Sequence, residues 1–162
     1  MTPEQTATLK AALLADQALA QYIVDYRDDL IRDYYNAPAD PAYIVWRSIV
    51  SQDEIMLNGF DWTRVDNLSV GAARVWQWMF DNGGKSFNPS KVNIRAGIDQ
   101  VWKGTAQDLA VRAVVYTHCK RAANRVEKIF ATGTGSDAVP GLMAFEGEIT
   151  TSDVSAMLSG ER

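Results

Sequence analysis

Cysteine is nearly absent from the chain: Cys119 stands alone, so no disulfide can close within one molecule. A disulfide framework of the kind that staples small secreted domains is excluded, and a reducing compartment is expected. Histidine is as scarce. His118 and Cys119 are neighbours, but adjacent helical residues point about 100° apart, so they cannot serve as shared ligands or as nucleophile and base. A zinc site would have to take its remaining ligands from carboxylates. His118 falls on an apolar stripe, which marks it as a core or interface residue. Long apolar runs are missing too, since none approaches the roughly 18 residues that a membrane-crossing helix needs. Met1-Thr2-Pro3-Glu4-Gln5 has neither the basic start nor the apolar stretch of a secretory leader. The expectation is a protein made in the cytoplasm with no membrane contact.

What the chain does have is apolar mass. Apolar residues make up 47% of the 162 positions, with five Trp, six Tyr and five Phe. A chain this long buries about two-thirds of its unfolded surface, so a substantial core is available. The net charge of −4 hides an asymmetry. Residues 1–81 hold 6 Lys/Arg against 12 Asp/Glu, residues 82–128 hold 9 against 3, and residues 129–162 hold 1 against 5. Blocks of opposite sign can pair within a fold or between copies of it.

Helix signals dominate. Thr2 caps a first helix with Pro3 at its first position and Gln5 completing a capping box. Asp16 caps a second, and a stripe through Leu30, Ile31, Tyr34 and Tyr35 runs until Pro38. Residues 43–50 carry β-branched and aromatic residues that suit a strand. Tyr43, Trp46, Ile49 and Val50 also follow helical spacing, and with no second strand nearby a helix is expected. Ser51 with Glu54, Asn67 or Ser69, Asn88-Pro89-Ser90, and Thr105 with Asp108 open four further helices, the last running to about Ala131. Asn82-Gly83-Gly84 closes the helix that ends near Phe80. After a Gly/Thr/Ser loop, residues 139–149 read as extended, and Thr151-Ser152-Asp153 starts a short final helix. The expected fold is all-α: a single compact multi-helix domain over 1–162. It has an acidic helical N-terminal region at 1–37, and a loop plus C-terminal arm at 132–162.

Motifs that could carry chemistry fail on context. Gly84-Lys85-Ser86 resembles the end of a phosphate-binding loop, but Met79 stands where the first glycine is required, and a helix precedes it instead of a strand. Gly133-Thr134-Gly135-Ser136-Asp137-Ala138 fits the dinucleotide fingerprint in form, yet a helix comes first and Pro140-Gly141 follows. Asp25/Asp29 and Asp29/Asp33, at i, i+4, put carboxylates on one helix face without an oxygen-rich loop to complete a cation shell. Glu146 and Glu148 flank Gly147 with no basic or nucleophilic partner close in sequence. No acid, base and nucleophile assemble. The chain is expected to be non-enzymatic, with no metal and no cofactor.

Several blocks form a recognisable pattern: Asn93-Ile94-Arg95-Ala96-Gly97-Ile98-Asp99, the run from Arg121 to Gly135, Phe145-Glu146-Gly147-Glu148-Ile149, and Asp153-Val154. With Val45-Trp46-Arg47 and Asn88-Pro89-Ser90, they cover roughly residues 43–155. In these the chain resembles small proteins of tailed bacteriophages and prophages. The resemblance implies a phage protein and assigns no residue a role. A virion component fits, such as a head–tail connector or other tail-associated ring subunit, made in the host cytoplasm. Rings join unlike faces. The acidic Asp25, Asp28, Asp29 and Asp33 could meet the basic Arg112, Lys120, Arg121, Arg125 and Lys128, while the 139–149 segment could add backbone hydrogen bonds to a neighbour. Self-association and other virion proteins are the expected partners. The alternative is an inhibitor of a host defence or nucleic-acid-binding protein, its acidic face mimicking phosphates. Direct nucleic-acid binding, through a 112–128 helix, is the least favoured because the overall balance is acidic.

Overall fold

The structure, a computed structural model, describes residues 1–81 and 84–161. Helix α1 spans Pro3–Ala15, and a 3-10 turn at Gln17–Leu19 leads into α2, Ala20–Val24, and α3, Asp28–Asn36. Strands β1, Ile44–Trp46, and β2, Val50–Ser51, precede α4, Gln52–Leu57. A second 3-10 stretch, Trp62–Asn67, is followed by α5, Val70–Asp81, β3, Ser86–Phe87, α6, Val92–Val101, and α7, Ala106–His118. Then come β4, Lys120–Ala122, α8, Arg125–Phe130, β5, Ala131–Thr132, β6, Leu142–Met143, and α9, Thr151–Leu158. The fold is helix-rich with short antiparallel strand pairs, and so not purely all-α.

These elements gather into two compact units. The first combines Met1–Val45 with the chain from Ala122 onward, so the N-terminal region at 1–37 and the C-terminal arm at 132–162 both belong to it. Its core holds Leu9, Leu13, Leu19, Ile31, Val126 and Val154, with α3 packed on α8 and α9. The second unit is Trp46–Arg121. Its core is aromatic. Trp76 stacks on Phe60 at 5.9 Å and meets Phe80 and Trp102 edge-on at 5.0 and 5.4 Å. Each such pair adds roughly 0.5–1.5 kcal/mol beyond the area it buries.

Short-range capping chemistry behaves as read except at α6, where Asn88-Pro89-Ser90 precedes the helix and the cap position is Lys91, with no side-chain cap. Capping boxes form at Thr2/Gln5, Ser51/Glu54 and Thr105/Asp108, Asp16 caps the Gln17–Leu19 turn, and Ser69 accepts from the Ala72 N–H. The cap of α9 is Thr150, one residue earlier than expected. The expected closure at Asn82-Gly83 lies outside the described residues; at Lys85 the backbone N–H returns to the Phe80 carbonyl at 3.0 Å.

Two expectations are corrected by distant partners. Residues 43–50 are not a helix. Val50 pairs with Phe87 and Ser51 with Ser86, so the partner strand lies more than thirty residues downstream. The helix expected to run from Thr105 to Ala131 stops at His118. Beyond it the backbone is spent elsewhere: the Cys119 carbonyl accepts from Arg47 (2.9 Å), the Ala123 N–H goes to Tyr43 (2.8 Å), and the Arg125 N–H to Ala37 (3.0 Å). Asn124 then caps α8, with Glu127 closing its capping box. The expected extended 139–149 segment is strand only at Leu142–Met143, bends at Ala144, Phe145 and Gly147, and is tied down. Ala131 pairs with Met143, the Gly141 N–H reaches the Ile44 carbonyl, and the Ile149 N–H reaches Asn36 Oδ1 at 3.0 Å. These backbone groups, expected to be available to a neighbour, are used within the first unit.

Candidate interaction surface

Helix α5 turns Trp76 and Phe80 into the core of the second unit, while Met79 packs beside Gly97 of α6. The opposite side is the unusual one. Val70 and Trp78 remain 77% and 55% exposed, and Val75 is 36% exposed. Val70, Arg74 and Trp78 are four residues apart in succession and so lie along one line of the helix. The Arg74 guanidinium sits 5.9 Å from the Trp78 ring, a cation–π contact on this exposed line. Trp and Arg on an exposed helix face are the residue types most enriched at binding hot spots.

A groove of about 520 Å³ opens beside this face, where α5 meets the end of α6 and the start of α7. Leu68, Ala72 and Val75 supply apolar walls, and Gln100, Lys103 and Asp108 supply polar ones. Asp108 is committed to the fold. It caps Thr105 at 2.8 Å and pairs with Arg64 at 2.8 Å, and the Arg64 hydrogen bond holds its carboxyl below the ordinary range. Lys103 donates to the Gln100 amide oxygen at 2.9 Å at the groove edge.

The acidic cluster read from the sequence is not one face. Asp25 lies beyond the end of α2, accepting from Gln21 at 2.9 Å, and so shares no helix with Asp29. Asp28 is buried. Asp29 pairs with Arg27 at 2.8 Å, and that hydrogen bond pulls its carboxyl down to about 2. Asp33 pairs with Arg32 at 2.6 Å.

The basic set is divided as well. Arg112, Lys120 and Arg121 belong to the second unit, and Arg125 and Lys128 to the first. Arg112 lies 3.5 Å from Asp99. Arg125 stacks over Tyr34 at 4.0 Å, and Lys128 donates to the Pro41 carbonyl at 3.1 Å. With α7 ended at His118, no continuous 112–128 helix exists to enter a DNA groove.

The glycine-rich loop has a structural use. The Tyr43 hydroxyl donates to the Gly133 carbonyl at 2.8 Å, and its ring lies where side chains on Gly135 or Gly141 would stand. These glycines cradle a tyrosine. His118 is half-buried, its Nε2 3.1 Å from the Asn58 carbonyl, while burial pushes the Cys119 thiol up to about 12. Among the described residues no three His, Cys, Asp or Glu side chains are grouped to hold a metal, and no helix is long and apolar enough to cross a membrane.

Sequence reasoning missed the exposed α5 face and the groove. The signal was present for the face: Val70, Val75 and Trp78 are apolar residues that fall off the Trp76–Phe80 core line. Nothing in the sequence placed Lys103 and Gln100 beside Leu68 and Ala72. Comparison of the chain with family models, curated proteins and solved structures finds no match to any of them.

Proposed function

We propose that this protein is a non-enzymatic structural component of a tailed-phage particle, a subunit of a ring such as the connector between head and tail. The observation that carries this reading is the exposed Val70–Val75–Trp78 face on α5. A lone exposed apolar residue is ordinary, whereas Val70 and Trp78 on one line with Arg74, and Val75 beside them, form an exposed patch of the kind that protein covers. Charge supports the same reading. The first unit holds 6 Lys/Arg against 13 Asp/Glu, a balance of −7, and the second 10 against 7, a balance of +3. Unlike faces of opposite sign suit the heterologous contacts from which rings are made. The sequence blocks between residues 43 and 155 supply the phage context.

The rival reading, an inhibitor that mimics phosphates, draws less support. Of its four carboxylates, Asp28 is buried, and Asp29 and Asp33 are each paired with an arginine. The direct test is mass spectrometry of purified particles of the phage that encodes the chain. Peptides at a ring-like copy number are expected. Expression during infection with no peptide in the particle overturns the virion assignment, and capture of a host protein from infected extract would favour the rival.

A further inference from the structure

A second surface feature answers the groove. At the end of α2 the chain turns sharply, with Tyr26 at φ +57°, a left-handed conformation uncommon for a bulky non-glycine residue. Two large side chains are mostly exposed at the turn: Val24 is 68% exposed and Tyr26 is 65% exposed. Asp25 lies between them, and the unit that carries them is strongly acidic. The groove of the second unit has apolar walls at Leu68, Ala72 and Val75, an amide at Gln100, the Asp108 carboxylate already paired with Arg64, and the Lys103 ammonium at its edge. At about 520 Å³ it is roomy enough for an aromatic ring with its hydroxyl directed to the polar rim.

We propose that the Val24–Tyr26 turn of one copy seats in the α5–α6 groove of a second copy, with Asp25 against Lys103. The inference rests on the ring reading and names its contact. The knob and the groove are different surfaces of one chain, so a copy that has used its knob still presents its groove. Such a contact is head-to-tail and propagates until it closes.

Sedimentation velocity of the full chain over a concentration series tests it, with circular dichroism as a check on folding. Tyr26→Gly removes the knob while easing the backbone. Gly71→Trp fills the groove from a helical position where a Cβ has open room, its nearest neighbour being Ser69 Oγ at 4.0 Å. Wild type is expected to form species larger than dimers, and each variant alone to associate at least tenfold more weakly. Mixing the two variants leaves one intact knob and one intact groove, and is expected to yield a dimer that grows no further. Asp25→Lys and Lys103→Glu should each weaken association, and the double exchange should recover it. The proposal is overturned if wild type stays monomeric, if the single variants assemble like wild type, or if the mixture of Tyr26→Gly and Gly71→Trp remains monomeric. Particle composition is independent of these outcomes. A chain that associates through Tyr26 yet is missing from particles would sink the virion reading alone, and one present in particles but indifferent to Tyr26 would sink this contact alone.

Discussion

Replacing Glu127 by alanine should cost the first unit more than any surface change. The side chain is 1% exposed. Its Oε1 accepts the Gly147 N–H at 2.9 Å and its Oε2 accepts the Asn124 N–H at 3.1 Å. Asn124 reciprocates, accepting the Glu127 N–H at 2.8 Å and donating to the Gly147 carbonyl at 2.9 Å. One capping box therefore starts α8 and also clamps the bend at Gly147. A hydrogen bond to a charged acceptor is worth about 1.5–3 kcal/mol, and a buried donor left without one costs about 1–3 kcal/mol. With two such bonds lost, Glu127→Ala should destabilise by roughly 3–5 kcal/mol. Glu127→Gln keeps one good acceptor and should cost about half as much, roughly 1.5–3 kcal/mol. With a urea slope of about 2 kcal/mol per molar, the alanine variant's midpoint falls by about 1.5–2.5 M. Circular dichroism in urea would follow this. All five tryptophans lie between residues 46 and 102, so indole fluorescence watches the second unit instead. Amide exchange at Gly147 supplies the local readout, with protection lost in the alanine variant. A change below 1 kcal/mol with Gly147 still protected would refute the clamp, on the magnitudes given for such bonds.

Two further outcomes follow from single contacts. Gly135 sits at φ +65° against the Tyr43 ring, so Gly135→Ala should lower stability by about 2–4 kcal/mol, from overpacking and backbone strain together. In a Tyr43→Ala background only the backbone part, about 1 kcal/mol, should remain, and equal costs in both backgrounds in thermal melts would show that the ring is not the obstacle. Glu54 is held at about 2, against 4.5 ordinarily, first by the Ser51 N–H and then by Arg47 at 2.7 Å. A depressed carboxylate stabilises fully above its unfolded value and loses that contribution as pH falls from about 4.5 toward 2. Because the side chain is 41% exposed, the contribution after solvent screening is about 1 kcal/mol. The stability gap between wild type and Glu54→Gln should therefore be present at pH 7 and nearly closed at pH 2.5, and a gap that does not change with pH would contradict the assignment.

The sequence by itself determined what depends on neighbours three or four residues away. The capping boxes at Thr2, Ser51 and Thr105 and the Asp16 cap were all legible, because each is settled by local hydrogen bonding. Asn124 and Glu127 carried the same signal, but an unbroken apolar line through Val115, Ala122 and Val126 masked it. Only the tertiary structure decided that the backbone after His118 belongs to partners near residues 37, 43 and 47, since a helix yields where distant groups satisfy its N–H and C=O groups instead. The same holds for Val50–Ser51, whose strand pairing waited for Ser86–Phe87. Surface charge was the least legible property. Sequence counts Asp28, Asp29 and Asp33 as an acidic face, but whether a carboxylate is available depends on burial and on which arginine lies within 3 Å, and both are fixed only when the chain has folded.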